Sequence, residues 1–293
     1  AVVRGRYSGR EMAEVMSLTF MVFMAIPIIA PGIGQVLLLT GPWQSIFIFM
    51  GGLALALWVW TYLRLPETLP LDQRRTLSAS GIFESFRLVF TNRAAISYGL
   101  AGMFLFGALF GFITSAQQIY VDIYGLGVYF PVAFAAMAGL MAISSFTNSR
   151  VVRRFGMRRL SHGAMLIFTV FSGIWLVLAL NDMLPLWLFF TLLAIIMFCF
   201  GWSASNMNSL SMEPLGNVAG TAASVFGFIQ TVGGAVIGSF TGQMFDGTTV
   251  PTATGYFLMG IRALVFILIA EKGRLFGVGE QYGTPTEPVM DAH

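Results

Sequence analysis

LWLFFTLLAIIMFCFGWSASNM, residues 186–207, runs for 22 residues without a charged side chain. A helix rises about 1.5 Å per residue, so a stretch of about 20 residues crosses a hydrocarbon core of about 30 Å. The hydrophobicity is uniform rather than alternating, which suits a helix that satisfies its own backbone hydrogen bonds in lipid, not a barrel strand. Seven further stretches read the same way, at residues 15–39, 43–63, 95–116, 128–147, 161–180, 218–241 and 254–271. Together the eight occupy more than half of the 293 residues. The chain is therefore expected to be an all-α, polytopic membrane protein.

Composition excludes the soluble alternatives. Hydrophobic residues make up 57% of the chain and charged residues 10%, where a soluble domain carries about 25% charged residues. Cys199 is the single cysteine, so neither an intramolecular disulfide nor a cysteine-built metal site is expected. The amino end is polar and arginine-rich and does not read as a cleavable signal sequence.

The net charge of +3 rests on arginine, which supplies 15 of the 16 basic residues. Arg4, Arg6 and Arg10 precede the first segment, and Arg64, Arg74, Arg75, Arg87 and Arg93 follow the second. Arg150, Arg153, Arg154, Arg158 and Arg159 lie after the fourth, and Lys272 and Arg274 after the eighth. In a simple zigzag all of these fall on one side. The opposite loops, Gly41 to Pro42, Gln117 to Gly127, Asn181 to Pro185 and Gly242 to Thr252, carry no Lys or Arg. The positive-inside rule then puts both termini of the chain in the cytoplasm. The basic charge is a topology signal, and no basic patch with interleaved aromatics points to nucleic acid. Arg262 is the exception, near the middle of the last segment; it reads either as a contact inside the bundle or as a side chain reaching the interface.

Between residues 64 and 93 a polar connection separates two segments from six. Within it Ile82, Phe83, Phe86, Val89 and Phe90 share a helical face, with Ser80 placed to cap, which predicts a short helix in the headgroup region.

Chemistry-bearing residues are scarce inside the segments. None of the 13 acidic residues falls at mid-membrane; His162 opens the fifth segment and His293 ends the chain. That leaves no constellation for an intramembrane enzyme or a metal site, and no cofactor is expected. No glycine-rich loop ending in Lys-Ser or Lys-Thr is present, so the chain carries no ATPase of its own. What the segments hold is small residues, prolines and aromatics. Gly234, Gly238 and Gly242 repeat every fourth position in the seventh segment, and Gly107 and Gly111 in the third. Such stripes serve tight packing or a sliding surface. Pro27, Pro31, Gly32 and Gly34 predict a bend in the first segment. Met103, Phe106, Phe110, Thr114 and Gln117 share one face of the third segment, and Cys199, Trp202, Ser203 and Asn206 one face of the sixth. Each face reads as helix packing or as the wall of a site for an apolar ligand.

Several ordered strings carry a resemblance. Asn148-Ser149-Arg150-Val151-Val152-Arg153-Arg154-Phe155-Gly156 resembles the basic loop of the major facilitator superfamily in its second-half version. Ala25-Ile26-Pro27-Ile28-Ile29-Ala30-Pro31-Gly32-Ile33-Gly34 is similar to the proline and glycine motif of that superfamily's fifth helix, found in drug/proton antiporters. Gln35, Ala25 and Ala30 depart from the glycines often found there. Arg10 to Ser17, Glu67 to Pro70 and Ala219 to Ser224 add to a likeness to the Bcr/CflA branch of multidrug efflux transporters.

The resemblance implies a twelve-helix fold in two halves, with the eight segments standing for helices five to twelve. Residues 1–63 would then be the last two helices of the first half-bundle, 64–94 the central loop, 95–272 the second half-bundle and 273–293 a cytoplasmic tail. Counterparts of the first four helices are missing, so the chain is expected to be a segment of a longer reading frame. The family implies alternating access, with a cavity built partly from the third and sixth segments. Phe106, Phe110, Gln117, Trp202, Ser203 and Asn206 become candidates to line it. Arg150, Arg153, Arg154, Gly156 and Arg158 become a gating loop that makes and breaks charge contacts. The implied function is proton-coupled efflux of small amphipathic compounds from a bacterial inner membrane. Implied partners are the lipid bilayer, a small-molecule substrate and protons, and the full-length protein is expected to be monomeric. The alternatives are a metabolite transporter of the same fold and a non-transporting fragment that needs the missing helices.

Overall fold

The computed structural model describes residue 7 and residues 9–64 and 79–276. Arg4, Arg6, the Glu67 to Pro70 string, Arg74, Arg75 and the tail after residue 276 lie outside the described residues, as do the side chains of Pro27, Pro31 and Gly32. Among the described residues the regular elements are all helical: α1 (Gly9–Thr40), α2 (Gln44–Arg64), α3 (Ala79–Thr91), α4 (Arg93–Gln117), α5 (Phe130–Phe155), α6 (Met157–Leu180), α7 (Leu186–Met212), α8 (Ala219–Phe228), α9 (Gly234–Gln243) and α10 (Val250–Ala270).

Six stretches among these residues are long and apolar enough to cross a membrane. One of them, Leu186–Gln243, has 58 residues and would be about 87 Å long as a straight helix, nearly three hydrocarbon thicknesses. It is broken by a 3-10 turn at Glu213–Val218, where Leu215 leaves helical geometry at φ −115°, ψ 31°. α7 is thus one pass. α8 and α9, joined by a π-helical turn at Ile229–Gly233, are the next. With α1, whose 32 residues cover the first expected segment, each of the eight segments is helical.

The helices outrun the apolar windows at their polar ends. α1 starts before residue 15, α5 continues through the basic loop to Phe155, and α6 begins at Met157. Hydropathy reports the length in hydrocarbon, whereas a helix ends where its backbone is interrupted. Between α5 and α6 the interruption is Gly156, at φ +83°, a conformation that a side chain disfavours. α4 starts where Asn92 Oδ1 accepts the Ala95 N–H at 3.0 Å. Asp246 organises the entry to α10: its carboxylate accepts Thr248 Oγ1–H at 2.7 Å and Thr248 N–H at 2.9 Å, which hold its carboxyl below the usual range.

α4 lies at the centre, against α7, α9 and α10, while α6 packs on α7 and α10, and α5 on α7. α1 is laid along α5 and reaches α7. The two glycine stripes face each other. A Cβ at Gly238 would lie 2.6 Å from the Gly111 nitrogen and 2.8 Å from the Gly107 carbonyl oxygen; one at Gly234 would lie 3.1 Å from the Gly107 nitrogen. α4 and α9 therefore touch backbone to backbone, and Thr114 Oγ1 donates to the Gly238 carbonyl at 3.3 Å. α2, by contrast, buries none of its residues and packs on α1.

α3 divides the apolar face expected of it. Val89 and Ser85 are buried, with Val89 packed beside Met212, Leu215 and Ala222, whereas Ile82, Phe83, Phe86 and Phe90 are exposed. Val89 stands at the edge of the helical face, where it reaches the 213–218 turn. Ser80 falls inside the helix, one position past its first residue. Arg262 is exposed on α10, its guanidinium 5.9 Å from the centre of the Phe104 ring. It points out of the bundle, where the ring face compensates part of its charge.

Candidate functional site at the junction of three helices

α1 is held against α5 and α7 by polar groups in an otherwise apolar core. Asn148 on α5 donates from Nδ2 to Ser17 Oγ at 2.6 Å and to Ser205 Oγ at 3.1 Å. It also pairs with Asn206: Asn206 Nδ2 donates to Asn148 Oδ1 at 2.9 Å, and Asn148 Nδ2 lies 3.3 Å from Asn206 Oδ1. Ser17 Oγ–H is shared between the Ala13 carbonyl at 2.8 Å and Ser205 Oγ at 2.9 Å. All four side chains are fully buried. Leaving any one of them unpaired there costs about 1–3 kcal/mol, so the group acts as a unit.

Two further stitches bind α5 to α7. Trp202 Nε1 donates to Thr147 Oγ1 at 3.0 Å, and Ser144 Oγ donates to the Phe198 carbonyl. Gly201 makes the approach possible, because a Cβ there would stand 2.6 Å from Ser144 Oγ. Deeper along the junction, Phe106 of α4 lies between Phe20 of α1 and Phe200 of α7, with ring centres 6.3 and 5.8 Å away. Phe106 is therefore the aromatic residue at which these three helices meet.

The residues picked from the sequence thus separate into groups. Phe106 faces the junction and Phe110 is half-buried beside it. Trp202 and Asn206 turn toward α5 and are taken up in hydrogen bonds. Ser203 is fully buried, and its hydroxyl has no hydrogen-bond partner among the described residues. Gln117 is exposed at the opposite end of α4. Gly34 borders open space, with nothing within 4 Å of where a Cβ would stand, and the backbone through Pro27, Pro31 and Gly32 is helical.

The arginines of the basic loop also differ. Arg153 Nε pairs with the Glu14 carboxylate on α1, and Arg10 Nη1 donates to the Arg153 carbonyl at 2.9 Å. Arg158 pairs with Glu271 at 2.8 Å and Glu213 at 3.4 Å. Arg150 and Arg154 lie over the rings of Phe146 and Phe155, at 5.2 and 5.6 Å. The Arg153 side chain is 63% exposed, and an exposed pair of this kind contributes about 0–1 kcal/mol. It is a contact that a modest force can break.

Multiple membrane-crossing helices and a polar tie between the first helices and the rest describe a polytopic protein; sequence comparison supplies its family. A model of the Major Facilitator Superfamily matches residues 1–238. The chain belongs to the major facilitator superfamily. It is thus a multi-pass membrane protein of a transporter family, not an enzyme. Within the superfamily its likeness runs to the Bcr/CflA branch. It is 30% identical over 269 residues to a bicyclomycin resistance protein homologue of Haemophilus influenzae, a match covering 92% of this chain and 67% of that protein. It is 27% identical over 293 residues to the multidrug resistance protein MdtL of Klebsiella pneumoniae, covering 96% of this chain and 70% of that protein. An uncharacterized MFS-type transporter of Bacillus subtilis, YdgK, is 26% identical over 267 residues, covering 89% of this chain and 65% of that protein. The chain spans about two thirds of the length of these relatives.

Sequence reasoning missed most of the polar tie. Asn148 and Ser17 each stood inside a quoted string, but only as part of a pattern. Glu14 likewise lay inside the Arg10 to Ser17 string, whereas Ser144 and Ser205 gave no signal beyond being polar in or near an apolar run.

Proposed function

We propose that this chain belongs to a proton-coupled efflux transporter for small amphipathic compounds, working by alternating access in a bacterial inner membrane, with both ends of the chain on the cytoplasmic side. The observation that carries this reading is the junction itself. α1 is joined to α5 and α7 by side-chain hydrogen bonds and by the Arg153–Glu14 ion pair. Directional bonds of this kind have two discrete conditions, made or broken, which a rocking motion between half-bundles requires. They lie at the end of the bundle that carries the basic loops, so breaking them would open that end. The printed names of the bicyclomycin-resistance and MdtL relatives support drugs as the substrate class, and the aromatic meeting point of Phe20, Phe106 and Phe200 supports an apolar ligand. Protons and the bilayer are the remaining partners, and a monomer suffices.

The test is expression of the whole reading frame in an efflux-deficient host. The reading expects lower accumulation of amphipathic dyes and drugs, reversed by an uncoupler. Accumulation that matches the empty host, with or without the uncoupler, would overturn it; transport of a polar metabolite instead would keep the fold and replace the substrate.

A further inference from the structure

Arg262 takes no part in the junction or in the basic loop. It stands eight residues before the last residue of α10, Ala270, and twelve after the first, Val250. At about 1.5 Å per residue, that is about 12 Å from one end of the helix and about 18 Å from the other. Its face of the helix is exposed along most of its length: Leu258, Ile261, Val265 and Ile269 share it at helical spacing and are 38–47% exposed. Hydrocarbon covers an apolar face of this kind, and a guanidinium within it is costly until an anion meets it.

Among the described residues no carboxylate is placed to do so. Arg93 is the one charged side chain of α4, and α8, α9 and the π-helical turn between them carry none. α10 itself holds only Arg262, and α6 adds Arg158 and Arg159 on its first turn. Glu271, Lys272 and Arg274 follow α10. Glu271 accepts from Arg158 and Tyr98, and Glu213 pairs with Arg158 as well. A second copy of the chain would not help, because none of the 13 acidic residues falls at mid-membrane.

What Arg262 does meet is aromatic. Its guanidinium lies 5.9 Å from the centre of the Phe104 ring, and Phe104 stacks on Phe266 with ring centres 5.9 Å apart. Along the same seam, at the end that carries the basic loops, Arg93 Nη2 donates to the Ala270 carbonyl at 3.4 Å. Arg93 and Phe104 are eleven residues apart, about three turns, and so share one face of α4. The α4–α10 seam thus has a cation at its mouth, two stacked rings along it and a second cation at its deep end. Helical side chains lean toward the N-terminus of their helix. On α10 that is away from the mouth, which works against Arg262 reaching the interface by itself.

We propose that the α4–α10 seam binds an anionic phospholipid, with the headgroup phosphate drawn past Arg93 to Arg262. A planar guanidinium donates two parallel N–H bonds to phosphate oxygens, a geometry that an ammonium does not offer. The Phe104 face holds the guanidinium in place from the other side. Arg93, Lys272 and Arg274 concentrate anionic headgroups at the mouth, local thinning of that leaflet lets the headgroup descend, and the acyl chains run on past Leu258. α10 packs on α4, α6 and α9, whereas α1 packs on α5 and α7, so the seam lies away from the helix that begins the chain. The site rests on the chain lying in a bilayer and not on what it transports.

The test uses the 293-residue chain in a neutral detergent, with phosphatidylglycerol or phosphatidylcholine added. Native mass spectrometry counts the lipids kept per chain, and thermal unfolding gives the midpoint. The expected result is a larger rise in midpoint with phosphatidylglycerol than with phosphatidylcholine. Arg262→Leu and Arg262→Gln should each keep one phosphatidylglycerol fewer and lose the extra rise, while unfolding no earlier than the wild type without lipid. The proposal is overturned if both variants keep as much phosphatidylglycerol as the wild type, or if the two lipids act alike on the wild type. It is also overturned if, in the whole reading frame, Arg262→Leu and the wild type keep phosphatidylglycerol equally, because a further helix would then cover the arginine. Should Arg262→Leu lose its monodisperse fold, Arg262→Gln decides.

Discussion

At Asn148 one primary amide reaches Ser17 on α1 and Ser205 and Asn206 on α7. Replacing it with alanine leaves the Asn206 amide and both hydroxyls short of partners in a buried site. Asn148→Ala should therefore lower the stability of the detergent-solubilised protein by about 1–3 kcal/mol, read as a lower thermal midpoint. An unchanged midpoint would mean that the tie does not bear on stability. A Ser17→Ala, Asn148→Ala cycle should show coupling, because the two changes remove one shared bond. Asn148 was visible in the sequence only as the first residue of a basic string. Its partner Ser17 is 131 positions away, a separation that no local pattern reports.

At the scale of the element, α9 is defined by what it lacks. Gly234, Gly238 and Gly242 were legible as a stripe, and so were Gly107 and Gly111, but the sequence did not say that the two stripes meet. Because a Cβ at Gly238 would fall 2.6 Å from the Gly111 nitrogen, Gly238→Leu should push α9 off α4 and cost at least about 1–3 kcal/mol. Thermal unfolding in detergent checks this, and a wild-type midpoint would show that the contact is dispensable. α5 gives the contrasting case. Its apolar window ended at residue 147, yet the helix runs on to Phe155 because only Gly156 interrupts the backbone. That extension carries Arg153 to Glu14. Replacing both Arg153 and Arg154 with glutamine in the whole protein should impair transport with modest loss of folded protein. The single changes should divide, with Arg153→Gln carrying most of the loss, since Arg154 only overlies the neighbouring Phe155 ring. Uptake assays and membrane abundance, measured together, distinguish gating from folding; full transport by the double variant would remove the gating role.

For the whole molecule, composition and apolar length were enough to determine that the chain lives in lipid, that it is helical and where it crosses, because a bilayer admits only helices and closed barrels and the uniform runs of about 20 apolar residues fit the helix. The motif strings were enough to point to the family. Tertiary structure alone decided which polar side chains are paired. Trp202 and Asn206, read as one polar face of a segment, are bonded to α5, and His162, read as a residue at a segment's edge, is the centre of a network joining α4, α6, α10 and the turn after it. The reason is physical. Partition into lipid depends on the sum of side-chain free energies along a segment, which a sequence states directly. A hydrogen bond depends on the meeting of two groups from distant segments, and that is set by how the helices cross.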